Sequence, residues 1–399
     1  MKRKFQMVII YIPVVVLLSF RINSSISHVN DGEIVIQELG QITTTGHSYR
    51  VQVENDLAII ADSTEGLKII DIKDPTNPKV IGQYQDGGFP FDIFIDQNLV
   101  YFADHGGGLK ILNISDPSNP NLIGQFTDED WSRDVHVNGN LAYVADWYDG
   151  IEILNISDPT NPVKISDIGT EVFSLCVTAD LVFAAGEVLK IYNISDPWNP
   201  VEVGSYDIGN ATNEIYVDGN LAYAAAWRKG LVILDFTDLS NITLLGQYVE
   251  EEIGSDGVFI KKNFAFVADY TNGLLLLNIS DFSNITKIGH FHDGGEAHIV
   301  QVIDNLIYVA DGSDGFEILQ IEGLPEITMS TESATEITTT IEAITTDTNY
   351  STFPSTSNSR IESFMSSTKA GKIPSFELIY CLIYFLVFSV VKDRKRGKK

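Results

Sequence analysis

The apolar positions of this chain fall in short alternating runs. Phe91-Asp92-Ile93-Phe94-Ile95 alternates over five residues, and Asp96-Gln97-Asn98 follows as a tight turn. Leu99-Val100-Tyr101-Phe102-Ala103 is a second run, closed by Asp104. After His105-Gly106-Gly107-Gly108 a third run extends from Leu109 to Ile114. Ser115-Asp116-Pro117-Ser118-Asn119-Pro120 separates it from a fourth, Asn121-Leu122-Ile123-Gly124-Gln125-Phe126. Short runs rich in β-branched and aromatic residues, bounded by turn residues, predict strands. The two prolines have no N–H for a ladder and fix φ, so they set the turn. Four strands with no room for a helix make one unit.

The unit recurs. Gly-Leu-Lys-Ile-Leu-Asn-Ile-Ser-Asp-Pro at 108–117 has relatives beginning at Gly66, Gly150, Val188, Gly230, Gly273 and Gly315. The turn residue after the third strand is Asp74, Asp116, Asp158, Asp196, Asp238, Asp281 and Glu322, at spacings of 42, 42, 38, 42, 43 and 41. Periods of this length built from short strands predict propeller blades. The seventh unit has no fourth strand after Phe316 to Ile321, while a fourth-strand sequence, Ile34 to Gln41, stands alone before the first unit. Joining the two removes a bare sheet edge. The expected fold is all-β: a seven-bladed β-propeller of four-stranded blades over residues 28–325, closed by an N-terminal outer strand in the last blade.

Leu67-Lys68-Ile69-Ile70-Asp71-Ile72 and its copies, the flanking Asp-Pro-x-Asn-Pro, and Tyr143-Val144-Ala145-Asp146 resemble the LVIVD repeat. The resemblance covers all seven units, residues 34–323. Ala185 and Ala226 replace the Asp that ends the second strand in the other five. The resemblance implies an exported or surface-attached propeller of archaea or bacteria, and it brings no catalytic signature.

The ends are different material. Met1-Lys2-Arg3-Lys4 and the apolar run Phe5 to Phe20 read as a secretory signal over residues 1–27, cleaved near Ser25–Ser27 or kept as an anchor. Residues 326–370 hold 12 Thr and 9 Ser among 45, which predicts a disordered or O-glycosylated stalk. Ile373 to Val391 is close to the length needed to span a bilayer, and the Lys392–Lys399 tail places that end in the cytoplasm, so 371–399 is expected to be a transmembrane anchor. Ile373-Pro374-Ser375-Phe376-Glu377 with this run and tail also resembles the tripartite sorting signals of archaeosortase-type enzymes, with Pro-Ser-Phe in place of Pro-Gly-Phe. That resemblance implies exchange of the segment for a lipid. The expected location is the cell surface, with the head outside.

Charge narrows the partners. The 399 residues carry 26 Lys+Arg against 54 Asp+Glu, a net charge of -28, which argues against nucleic acid. Two cysteines exclude a disulfide framework, and Cys176 on an inner strand reads as a small buried hydrophobe.

In a propeller the loops between blades share a face with those joining second to third strands. Here that face gathers Trp131, Trp147, Tyr148, Trp227, Arg228, Tyr270 and His105. Aromatic residues among polar groups suggest a binding surface, although such rings also plug blade ends. Asp128 and Asp130, around Glu129, offer hard oxygen ligands for calcium, without the spacing of an EF-hand; no other cofactor is implied. Zinc at His290, His292, His298 and His105 is the weaker metal reading. The Asp ending each second strand (Asp62, Asp104, Asp146, Asp269, Asp311) is expected to accept N–H bonds in the next loop, or else to ring the channel mouth. These features lead to a non-catalytic, membrane-anchored binding or adhesion module for a surface protein or glycan. The alternative is an exported metal-assisted hydrolase with its site at the channel mouth.

Overall fold

A computed structural model of the chain describes residues 34–127, 131–147, 149–250 and 254–324. The expected signal, stalk, anchor and sorting signal lie outside these residues, as do Asp128, Asp130 and Tyr148. No helix among the described residues is long and apolar enough to cross a membrane.

Residues 35–322 form seven four-stranded antiparallel sheets. Blade one shows the order: Ser48–Glu54 innermost, then Leu57–Asp62, Leu67–Asp71 and Lys79–Tyr84 outermost. Each innermost strand contacts those of both neighbouring blades, and Ile299–Ile303 of blade seven contacts Ser48–Glu54 of blade one. The ring is therefore closed. Its seam is the predicted one: Val35–Ile42 pairs antiparallel with Gly315–Glu322, from Val35 opposite Glu322 to Ile42 opposite Phe316, with one bulge between Glu38 and Gly40.

Alternation along the strands leaves both faces of each sheet apolar, and neighbouring sheets bury them against each other. Seven hydrophobic clusters result, one at each junction between blades. The cluster between blades seven and one, with Phe316, Ile318, Val51 and Ile60, resembles the other six. The glycine of the outer strand has a steric cause. A Cβ at Gly82 would collide with the Pro117 carbonyl of the next blade's turn. Gly40, in the N-terminal strand, stands in the same relation to Pro75 of blade one. The seam thus reproduces a regular junction.

The turn chemistry is also local. Asp74 Oδ1 accepts from the Thr76 amide at 3.1 Å and hydroxyl at 2.7 Å, and Asp116, Asp158, Asp238 and Asp281 repeat the pattern. The Asn of each Asn-Ile-Ser accepts from the Ser amide, as Asn113 does from Ser115 at 2.8 Å.

Candidate functional site: the channel mouth

A residue within one position of the start of each innermost strand, one per blade, faces a common space. These are Tyr49, Phe91, Arg133, Phe173, Asn213, Asp256 and His298, and they line a cavity of about 250 Å³ with Arg50, Asp92, Asp134, Trp227, Tyr270 and Ile299. The next residues Arg50, Asp92, Asp134 and Glu214 form a deeper polar layer that ties blades together. Asp92 Oδ2 accepts the Val135 amide of blade three at 2.9 Å, Asp134 Oδ2 that of Leu175 in blade four at 2.9 Å, and Glu214 Oε2 that of Val258 in blade six at 2.6 Å. Arg50 reaches across the channel, with Nε 2.5 Å from Asp92 and Nη1 2.8 Å from Glu214. Burial raises the pKa of Asp92 and of Glu214, and Arg50 opposes both shifts.

Above this floor lies an aromatic belt. Ring centroids run from Trp227 to Tyr270 (5.7 Å), His298 (5.4 Å), Tyr49 (5.0 Å), Phe91 (5.1 Å), His105 (5.7 Å), Trp131 (4.4 Å), Trp147 (5.8 Å) and Phe173 (5.8 Å). Trp131 is 51% exposed; His105, Trp147, Trp227 and Tyr270 are half-buried. They form a rim and are not sealed inside blades.

The backbone explains how loop residues hold this order. His105, Trp227 and Tyr270 follow the end of a second strand with φ of 40°, 30° and 50°. Bulky residues rarely adopt this left-handed region, and such strain persists only where the surroundings impose it. Here the next blade imposes it: the carbonyls of His105 and Trp227 accept the amides of Ser132 and Ser255 at 3.1 Å, and the Tyr270 amide donates to Ala297 at 3.0 Å. The following blade therefore fixes each of these three rim residues.

Arg133 stands apart in this belt. Its guanidinium lies 4.9 Å from the Trp147 ring, 5.3 Å from Phe173 and 5.8 Å from Phe91. Among the described residues it makes no salt bridge, and its buried Nε has no hydrogen-bond partner. Burial lowers its pKa, with Asp256 and Asp134 acting against the shift.

Five of the residues singled out from the sequence, Trp131, Trp147, Trp227, Tyr270 and His105, come together in the belt. Arg228 is exposed and does not line the cavity. The four histidines proposed for zinc do not assemble. His290 and His292 stack on each other beside Glu250 and Lys287, His105 is in the belt, and His298 pairs with His47. Cys176 is half-buried against the core, where burial pushes its thiol up to about 12.

The recurring second-strand Asp does not ring the channel mouth, and a loop N–H bond of the expected kind is seen at Asp269, whose Oδ2 accepts from Asn272 Nδ2 at 2.9 Å. Asp62, Asp104, Asp146, Asp269 and Asp311 are almost fully buried and lie outside the cavity lining. They reach toward their own blade's innermost strand: Ser48, Ser132 and Ser255 donate hydroxyls to Asp62, Asp146 and Asp269 at 3.1, 2.6 and 3.1 Å. Lys68 and Lys110 on the third strand neutralise Asp62 and Asp104. The mouth carboxylates are Asp92, Asp134 and Asp256. Sequence reading missed these along with Arg50, Arg133 and Asn213; the available signal was a polar residue, at a spacing near 42, opening a strand that should start apolar.

Among solved structures, the chain is similar to the β-propeller domain of Cps50 (Swd1) from Myceliophteria thermophila. The TM-score is 0.60 at 11% identity, over 72% of this chain and 100% of that one. The computationally designed Ika8 protein gives a TM-score of 0.53 at 11% identity, over 71% of this chain and 99% of that one. At these identities the likeness concerns the fold alone. No curated protein matches. The family model for the LVIVD repeat matches residues 45–86, 87–128, 131–170, 179–208, 209–250, 254–293 and 294–330. These seven matches span more than half of the chain, one for each blade, and the chain belongs to the LVIVD repeat family.

Proposed function

We propose that the propeller is a non-catalytic binding head whose channel mouth takes a saccharide, carried at the cell surface by the stalk and anchor read from the sequence. The observation that carries this reading is the unbroken chain of nine rings from Trp227 to Phe173 around a recess of about 250 Å³. Ligand pockets for drug-sized molecules begin at roughly 300 Å³, so this recess suits one small ring with the rest of the chain lying on the rim. Aromatic faces give broad apolar contact at low entropy cost. Arg133 and Asn213 supply donors, and Asp256 supplies an acceptor, for hydroxyl groups. The exposed Trp131 extends the contact surface outward.

The test is a glycan array and a protein array probed with the full chain in detergent, followed by titration of any hit. Trp131→Ala and Arg133→Gln should each weaken saccharide binding about tenfold or more with melting unchanged, the behaviour of anchor residues. Binding on the protein array alone, or normal saccharide binding by the double variant, overturns the reading.

A further inference from the structure

The rim position after the second strand carries His105, Trp147, Trp227 and Tyr270 in blades two, three, five and six, Ser63 in blade one and Gly186 in blade four; in blade seven it is Gly312, at φ 53°. A Cβ there would lie 2.9 Å from Glu296 Cβ and 3.0 Å from His47 Cε1. The absent side chain makes room for these two residues, which approach His298 from the loops preceding blades one and seven.

Their donor atoms converge. His47 Nε2 lies 2.9 Å from His298 Nε2 and 3.4 Å from Glu296 Oε2, and all three donors fall within 4.8 Å of one another. Zinc bonds of about 2.0–2.1 Å at tetrahedral to right angles require donor–donor edges of roughly 2.9–3.4 Å. Both measured edges fit. The far side of the His298 ring is held as well, with Nδ1 2.5 Å from Asp256 Oδ2. A carboxylate on the second nitrogen fixes the tautomer that leaves Nε2 as a lone pair, the usual support of a ligating histidine.

We propose that His47, His298 and Glu296 form a binding site for a divalent first-row transition metal of the zinc type, open toward the cavity that His298 lines. Two imidazoles and one carboxylate are a borderline donor set that selects zinc over calcium or magnesium. Three protein donors leave a fourth position vacant for water or a ligand oxygen, as in zinc sites that act on bound molecules. Asp256 is a positioning residue in this site. The inference stands on donor geometry and does not rest on the saccharide reading.

The experiment uses the full chain in detergent, stripped with a chelator and dialysed against Zn²⁺, with bound metal counted per chain. Co²⁺ serves as a spectroscopic probe and X-ray absorption reads the ligands. One zinc per chain is expected, with imidazole scattering and the intense visible bands of low-coordinate cobalt. His47→Ala, in a partly exposed loop, should weaken zinc at least about a hundredfold, and Asp256→Asn about 10–100-fold. Glu317→Gln, in a separate carboxylate cluster, should leave it unchanged. A simple hydrogen bond between the two rings predicts no uptake. Failure of the wild-type chain to bind stoichiometric zinc, zinc without imidazole scattering, or unchanged affinity in His47→Ala overturns the proposal, whether or not His298→Ala folds.

Discussion

Arg50→Met is the sharpest test of how the channel floor holds the ring. Arg50 ties blade one to Asp92 of blade two and, across the channel, to Glu214 of blade five. The variant keeps much of the side-chain volume and removes the charge. Two buried carboxylates are then left without their cation, a change that typically costs about 3–5 kcal/mol. About a quarter of the Arg50 side chain still meets the cavity, at 24% exposure, which favours the lower end, roughly 3 kcal/mol. For a ring of this size, that corresponds to a fall in melting temperature of roughly 5 °C. The pH dependence carries a definite sign. Burial already raises Asp92 and Glu214 above their ordinary values, and losing Arg50 raises them further. The extra instability is absent at acid pH, where both carboxyls are protonated folded and unfolded, and grows as pH rises above the unfolded values near 4. The assay is urea unfolding of wild type and variant from pH 4 to pH 8. The triple variant Arg50→Met/Asp92→Asn/Glu214→Gln should regain most of the loss, because both amides still accept the Val135 and Val258 N–H groups. A loss under about 1 kcal/mol, or one equal at all pH values, refutes the assignment.

Three further outcomes follow from the packing. Deleting residues 28–41 strips the outer strand from blade seven, and light scattering should show aggregation at temperatures where the intact chain stays monodisperse. Gly82→Ala should lower stability by about 1–3 kcal/mol in chemical unfolding, because the added Cβ meets the Pro117 carbonyl. In blade seven the place of Lys68 and Lys110 is taken by Glu317, which with Asp293 meets Asp311; burial pushes Glu317 up to about 10 and Asp311 to about 7. Folded values above the unfolded ones mean stability present below pH 4 and lost as pH rises through 7 and 10. The wild type should therefore melt lower at pH 9 than at pH 6, and Glu317→Lys should raise melting and flatten that slope.

The fold was legible because its determinants are local and repeated. Alternation, Asp-Pro turns and the unaccompanied Ile34–Gln41 segment each recur or fail to recur at a fixed spacing, and the sheet registers follow. The rim was half legible. Aromatic residues in mouth-facing loops identified Trp131, Trp147, Trp227, Tyr270 and His105, but not that left-handed backbone and the next blade's amides align them. The floor was illegible for a physical reason. Arg50 and Glu214 are 164 positions apart, and only ring closure places the guanidinium against that carboxylate. The convergence of His47 with Glu296 and His298 has the same origin, since the first residue belongs to the start of the ring and the others to its end. The second-strand Asp was legible only in part: Asp269 does accept from its following loop, but the serine 14 residues upstream and the lysine 6 downstream of Asp62 are neighbours only across strands.

The seam has a consequence for orientation. The strand Gly315–Glu322 begins beside Gly312 at the mouth and runs to the opposite face, where Glu322 sits across from Val35. Both flanks of the head therefore emerge together, at its back, on the side of the Asp-Pro turns. A handle fused to either flank grips the propeller from behind and leaves the rim pointing outward. Two heads joined through such handles would display both mouths at once, and a polymer with repeated ends would be held by avidity far beyond the strength of one recess.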